Sequence, residues 1–177
     1  MSLSTKKGIS FGITSGVITT LGMIVGVNAS TSSRLAVIAA IVAIAIADAF
    51  SDAVAMHVSE ESEGIHSRKD VWEATMATFL AKFIFALTFV IPIWFLSLEI
   101  AVTVDIIWGL LVMTVFNILL ARAQKESPLR MVIEHLAIAV VVILITFIVG
   151  SFLSTITQQT LGFQGSNPLQ SSINPHR

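Results

Sequence analysis

Asp48 and Asp52 stand four residues apart inside the run Ala45-Ile-Ala-Asp48-Ala-Phe-Ser-Asp52-Ala-Val-Ala-Met56, which is otherwise mostly apolar. At that spacing two carboxylates share a helix face and repel each other. In hydrocarbon each costs at least ~3 kcal/mol even on lenient insertion scales. Such a pair is tolerable where a cation, a proton or a basic side chain neutralises it. Steps of three and four place Met56, Ser59 and Glu63 on the same stripe, flanked by the small Ala45, Ser51 and Ala55 and met at one end by bulky Ile41. A thioether beside carboxylate oxygens suits a borderline divalent ion such as Fe²⁺ or Mn²⁺ better than Mg²⁺ or Ca²⁺, which take oxygen ligands. The expected metal ligands are Asp48, Asp52, Met56, Glu60 and Glu63. His57 is turned roughly 140° from Asp52 by the same helical arithmetic and is a second-choice ligand.

Lys82 lies about ten residues into a later apolar run and is the natural counter-ion. Pairing with one aspartate would leave the other over. Glu60, Glu61, Glu63 and His66 follow the stripe, with Glu73, Glu134 and His135 at the starts of other runs on the same side. Singly each reads as a solvated helix end; together they form a mouth that attracts cations. Lys82, Glu73, Glu134 and His135 are the expected proton-coupling groups or counter-ions. Asp105 is expected near the opposite end of its run, as an exit-side or interfacial group. Asn117 is expected to be buried and to hydrogen-bond across helices. Pro92 is expected to kink its helix.

The elements that must hold these groups are transmembrane. The chain has 177 residues, 55% hydrophobic and 12% charged, with mean hydropathy +0.89. Soluble domains carry about 25% charged residues. Five apolar runs, 9–28, 34–58, 72–97, 99–121 and 131–155, are each near the roughly 20 residues needed to span a bilayer. The fold class is therefore an all-α polytopic membrane protein with a five-helix domain over 1–156 and a polar tail over 157–177, read as mobile. Lys6, Lys7, Arg68, Lys69, Arg122, Lys125 and Arg130 fall on one side, which the distribution of basic residues makes cytoplasmic; the C-terminus is then outside. Lys6 and Lys7 before an apolar run and Val27-Asn28-Ala29 have the outline of a secretory signal. That run is long and rich in Gly and Thr, and four more follow, so it reads as the first span. Within it, Gly12-xxx-Gly16 and Gly22-xxx-Gly26 allow close helix packing, within one chain or between two.

No cysteine is present, so disulfides and thiolate metal sites are excluded, and a net charge of −1 with no basic patch gives nucleic acid no footprint. An enzymatic reading, a metal-dependent phospholipid transferase, would need further aspartates and an Ala-Arg pair in a longer signature that is missing here. Neither catalysis nor a tightly bound cofactor is expected. A non-transporting scaffold whose charges only pair helices is the competing class.

Gly12-Ile-Thr-Ser15-Gly16-Val-Ile-Thr19-Thr20, with Gly22 and Gly26 beyond, resembles the first helix of the vacuolar iron transporter family, which runs G-x-x-D-G-x-x-T-T. Ala49-Phe-Ser51-Asp52-Ala-Val-Ala-Met56-His57-Val-Ser59 resembles its second helix, near S-M-A-x-G-E-Y-x-S. The resemblance covers about residues 8–155 and is strongest in these two helices. It implies a homodimer that exports Fe²⁺ or Mn²⁺ from the cytosol against protons, here in a divergent prokaryotic-type member; the small size and the lack of a targeting segment suggest a prokaryotic plasma membrane. The family's path-lining Asp, Met and Glu fall on Ser15, Asp52 and Met56, so the ligands are exchanged and Asp48 partly restores the carboxylate count. The link after the second helix is too short for the Glu-rich cytoplasmic domain of eukaryotic relatives; Glu60, Glu61, Glu63 and His66 would be its reduced form.

Overall fold

A computed structural model describes residues 2–165, with side chains described through residue 159. The described chain is all helical: α1 Leu3–Thr31, α2 Arg34–Glu63, α3 Arg68–Thr88, α4 Val90–Phe95, α5 Leu98–Gln124 and α6 Pro128–Gly165. With α3 and α4 forming one crossing, five helices are long and apolar enough to span a membrane. Short connections make successive spans alternate in direction. One end of the bundle therefore collects the seven basic residues named above, the basic end; the other, the far end, carries Arg34 and Glu99.

The helices begin and end where local chemistry dictates. Ser33 accepts the Ala36 N–H at the start of α2, and Ser67 and Asp70 form a reciprocal capping box at the start of α3. Between them Gly64 ends α2 at φ +66°, a left-handed conformation that suits glycine. The polar ends wind as helix beyond the apolar runs, so α2 continues past residue 58 through the glutamates. At its far end α6 passes the expected limit at 155; Thr155 and Thr157 bond back to the Ser151 and Leu153 carbonyls, and helix persists to Gly165. The expected mobile tail is thus helical over 157–165, and 166–177 lie outside the described residues.

The third span is not simply kinked but interrupted. Pro92 has no N–H to give the Thr88 carbonyl, and the ladder breaks at Phe89 before resuming as the short α4. Trp108 Nε1 of α5 donates to Thr88 Oγ1 at 3.2 Å, and Arg34 donates to the Trp94 and Leu96 carbonyls, fastening the break to its neighbours.

α1 is the central helix, packed on α2, α3, α5 and α6. Its glycines explain how. A Cβ on Gly12 would lie 2.6 Å from the Thr78 carbonyl oxygen, and one on Gly16 3.1 Å from Lys82 Cγ, so this stripe seats α3. Gly22 and Gly26 instead face Val142 and Thr146 of α6. Both small-residue motifs are used inside the chain. Val17, Leu21, Ile24, Val37, Ile41, Phe89 and Ile93 fill the core, while α6 turns Val141, Leu144, Ile148 and Phe152 outward, as a lipid-facing helix must.

Gly12→Ala is expected to push α1 from α3 and lower stability by about 1–3 kcal/mol, the usual cost of overpacking. Thermal unfolding in detergent checks it; an unchanged midpoint would mean the two backbones are not locked.

Candidate cation site

Asp48 lies fourteen residues from Arg34 at the far end and Lys82 fourteen from Arg68 at the basic end, so both sit about 21 Å along their helices, near mid-depth. The Lys82 stem runs through the gap that Gly16 leaves on α1, and the residue is 1% exposed. Its ammonium contacts Asp52 Oδ2, donates to Ser15 Oγ at 2.8 Å, and lies 2.5 Å from Asp48 Oδ2. The Asp48 contact is one of charge, without hydrogen-bond alignment. Ser15 Oγ in turn donates a hydrogen bond to Asp52 Oδ2 at 2.7 Å. Three helices therefore converge on one ammonium, and Lys82 meets both aspartates rather than pairing with one and leaving the other over. The side chains of Asp48 and Asp52 remain 27% and 18% exposed.

The long stripe expected on α2 divides into two centres. At the basic end Glu60 is buried; Lys7 Nζ lies 2.7 Å from its Oε1 and 2.6 Å from Glu63 Oε1. His66 Nε2 is 3.0 Å from Glu63 Oε2 and 3.6 Å from Glu60 Oε2, and that Glu60 oxygen has no hydrogen-bond partner. Glu60, Glu63 and His66 can each turn one ligand atom to within 4.8 Å of the others, a donor set suited to a divalent ion. Lys7 holds the position of its charge.

Between the centres a cleft of about 540 Å³ is lined by Lys7, Thr14, Met56, Ser59, Glu60 and His135. Met56 belongs to this cleft, one turn toward the basic end from Asp52. His135 Nδ1 is 2.8 Å from the Met131 carbonyl oxygen, so Nδ1 carries the donated hydrogen and Nε2 is the nitrogen left for another partner. Thioether, carboxylate and imidazole thus border a passage that stops one helical turn short of the Lys82 centre.

Other expected groups fall elsewhere. Glu73 accepts from Ser2 and Thr5 at 2.8 and 2.9 Å and ties the start of α1 to α3. Glu134 pairs with Arg130 on the surface of α6 at 2.8 Å, an i,i+4 pair of little energetic weight. His57 turns to α3, where Nδ1 lies 3.0 Å from Thr75 Oγ1 and its ring meets the Trp72 edge. Asn117 is buried as expected, but its Nδ2 bonds to Met113 O of its own helix and its Oδ1 has no partner, so no cross-helix bond forms. Asp105 is fully buried rather than interfacial.

Two contributors escaped the sequence reading. Lys7 signalled only orientation, and Ser15 looked like a lost carboxylate. Nothing in the spacing of residues 53 or 37 apart announces that they touch. No protein-family model matches this chain, and no curated protein matches it.

Lys82→Met would leave two carboxylates facing each other and is expected to cost about 3–5 kcal/mol, as breaking a buried ion pair does. Adding Asp48→Asn and Asp52→Asn should restore most of that loss. Chemical denaturation of the single and triple variants checks this; equal stability of Lys82→Met and the parent would refute the pairing.

Proposed function

We propose that this protein is a divalent transition-metal transporter, for Fe²⁺ or Mn²⁺, which exports metal from the cytosol in exchange for protons. The observation that carries the reading is a charge mismatch: two carboxylates share one ammonium at mid-depth, so the centre keeps one negative charge when both are ionised. A charge in that place is stabilised by a further cation. The cleft supplies an approach to it, with Met56, Glu60 and His135 as soft, hard and borderline donors.

In this reading the basic end is cytoplasmic. Metal is taken up at Glu60, Glu63 and His66 as Lys7 withdraws, passes Met56, and displaces the Lys82 ammonium from Asp52 and Asp48. Protons entering from the far side then neutralise the carboxylates and release it, and Lys82 returns as the resident cation. One positive charge replaces another throughout, which keeps the cost of each step low. The resemblance of the first two helices to the vacuolar iron transporter family supports the same cargo and direction, and Ser15 takes a role there by bridging Lys82 to Asp52.

A homodimer fits the exposure of the site. Ala43, Ala47, Ser51, Ala55 and Ser59 form an exposed small-residue stripe on α2 beside the two partly exposed aspartates. Since the glycine motifs of α1 are occupied within the chain, this stripe is the face on which a second copy would shield the carboxylates from lipid.

The second reading, a scaffold with structural ion pairs, draws on Lys82 reaching both aspartates at once. The two readings part on metal. In proteoliposomes the transporter is expected to show metal-driven proton flux that Asp52→Asn abolishes, and Fe²⁺ or Mn²⁺ should raise the melting temperature of the detergent-solubilised protein. Undiminished flux in Asp52→Asn would sink the site assignment, and no flux or thermal shift with any divalent ion would favour the scaffold.

A further inference from the structure

Asp105 is 0% exposed, and neither carboxyl oxygen has a hydrogen-bond partner. It lies seven residues into α5 from Leu98, about 10 Å from the far end. Its neighbours one turn away, Ala101 and Gly109, are also buried, and a Cβ on Gly109 would meet the Leu21 side chain of α1. The centre at Lys82 lies toward the basic end from here, since Leu21 is nearly two turns past Ser15 on α1.

No counter-charge reaches this place. The elements packed on α5 are α1, α4 and α6, and the end of α3 touches it through Thr88 and Trp108. Besides Lys82, the titratable groups of α3 are Arg68, Lys69, Asp70 and Glu73, all in its first two turns at the basic end. Among the described residues, the titratable groups of α1 are Lys6 and Lys7, and those of α6 are Arg130, Glu134 and His135, all at the basic end; α4 has none. On α5 itself Glu99 and Arg122 sit at the two ends. Lys82 is committed to Asp48 and Asp52. An ionised carboxylate with no donor and no cation costs several kcal/mol in such surroundings, which the neutral acid avoids.

We infer that Asp105 is a proton-binding site in the far half of the membrane, a carboxylic acid in this conformation that exchanges its proton with water when α4 and α5 part. α4 is the element suited to that motion. It is six residues long, lacks a side-chain cap and is set off from α3 by the break at Phe89. Its Ile93, with Phe89, belongs to the same buried cluster as Ala101 and Val102, the residues of α5 just before Asp105 toward the far end. A groove of about 310 Å³ bordered by Thr88, Pro92, Val104 and Trp108 already marks the seam. On release the O–H bond breaks, the electron pair stays on the carboxylate, and the proton passes to water entering there. The site requires no particular transported metal, so it stands or falls apart from the export reading.

Infrared spectroscopy of the full-length chain in lipid nanodiscs tests it. The chain has four aspartates, Asp48, Asp52, Asp70 and Asp105, so ¹³C labelling of aspartate carboxyls narrows the assignment. The expected result is a protonated-carboxyl C=O band at neutral pH that shifts with the label and is absent from Asp105→Asn. It should vanish reversibly on alkaline titration while the amide bands show intact helix. No such band, a band that persists in Asp105→Asn, or one that never titrates in the folded protein would overturn the inference. If Asp105→Asn does not fold, Asp105→Glu should keep the band and lose its response to aspartate label; a retained response would overturn it equally.

Discussion

The ammonium of Lys82 is the only positive charge that the described bundle places at mid-depth, and the arrangement of α1, α2 and α3 follows from the need to bring it to two aspartates. A lysine in hydrocarbon without partners would be expelled toward an interface. Here its stem crosses α1 where Gly16 has no side chain, which demands that α1 and α3 approach to backbone contact. The glycines at 8, 12 and 16 provide that approach along one stripe. Ser15, on the neighbouring face, then stands where its hydroxyl can accept from the lysine and donate to Asp52. Packing and electrostatics are therefore one constraint: close the helices less tightly and the charges lose their partner.

The same constraint leaves the centre with more carboxylates than ammonium groups. A one-to-one pair would be neutral and closed to further ions; two carboxylates on one ammonium leave a charge to be met. The second centre, where Lys7 lies between Glu60 and Glu63, repeats the pattern at the basic end. Each holds a lysine in contact with two carboxylates, and the Met56-lined cleft extends from the second toward the first. In the proposed transport cycle a divalent ion would replace a lysine at each stop without exposing bare carboxylates to an apolar core.

Asp105 shows what the absence of such a partner does. Among the described residues no lysine or arginine pairs with it, so its stable form there is the neutral acid. Its helix packs on the interrupted end of the third span, where Pro92 removes a backbone bond, Trp108 donates to the Thr88 hydroxyl and Arg34 to the Trp94 and Leu96 carbonyls. A short, uncapped helix thus stands beside a buried acid in this half of the bundle, whereas the half at Lys82 is held by charge.

By itself the sequence determined the class of fold, because hydrocarbon forces every spanning segment to satisfy its own backbone, and five apolar runs can do so only as helices. It also determined which residues were out of place: Asp48, Asp52 and Lys82 violate the composition of their helices and had to be explained together. Helical periodicity placed Met56 and Glu63 on their stripe, but periodicity is a property of one helix. Whether Lys82 met one aspartate or both, whether Ser15 lay beside them, and whether Lys7 reached across 53 positions to Glu60 depended on how α1, α2 and α3 were rotated and spaced. Only the tertiary structure decided that, since rotation and spacing are set by which small residues touch which backbone. It likewise split the stripe into two centres, and it buried Asp105, expected as an exit-side or interfacial group, without a hydrogen-bond partner among the described residues, because burial is conferred by neighbouring helices and not by position along one.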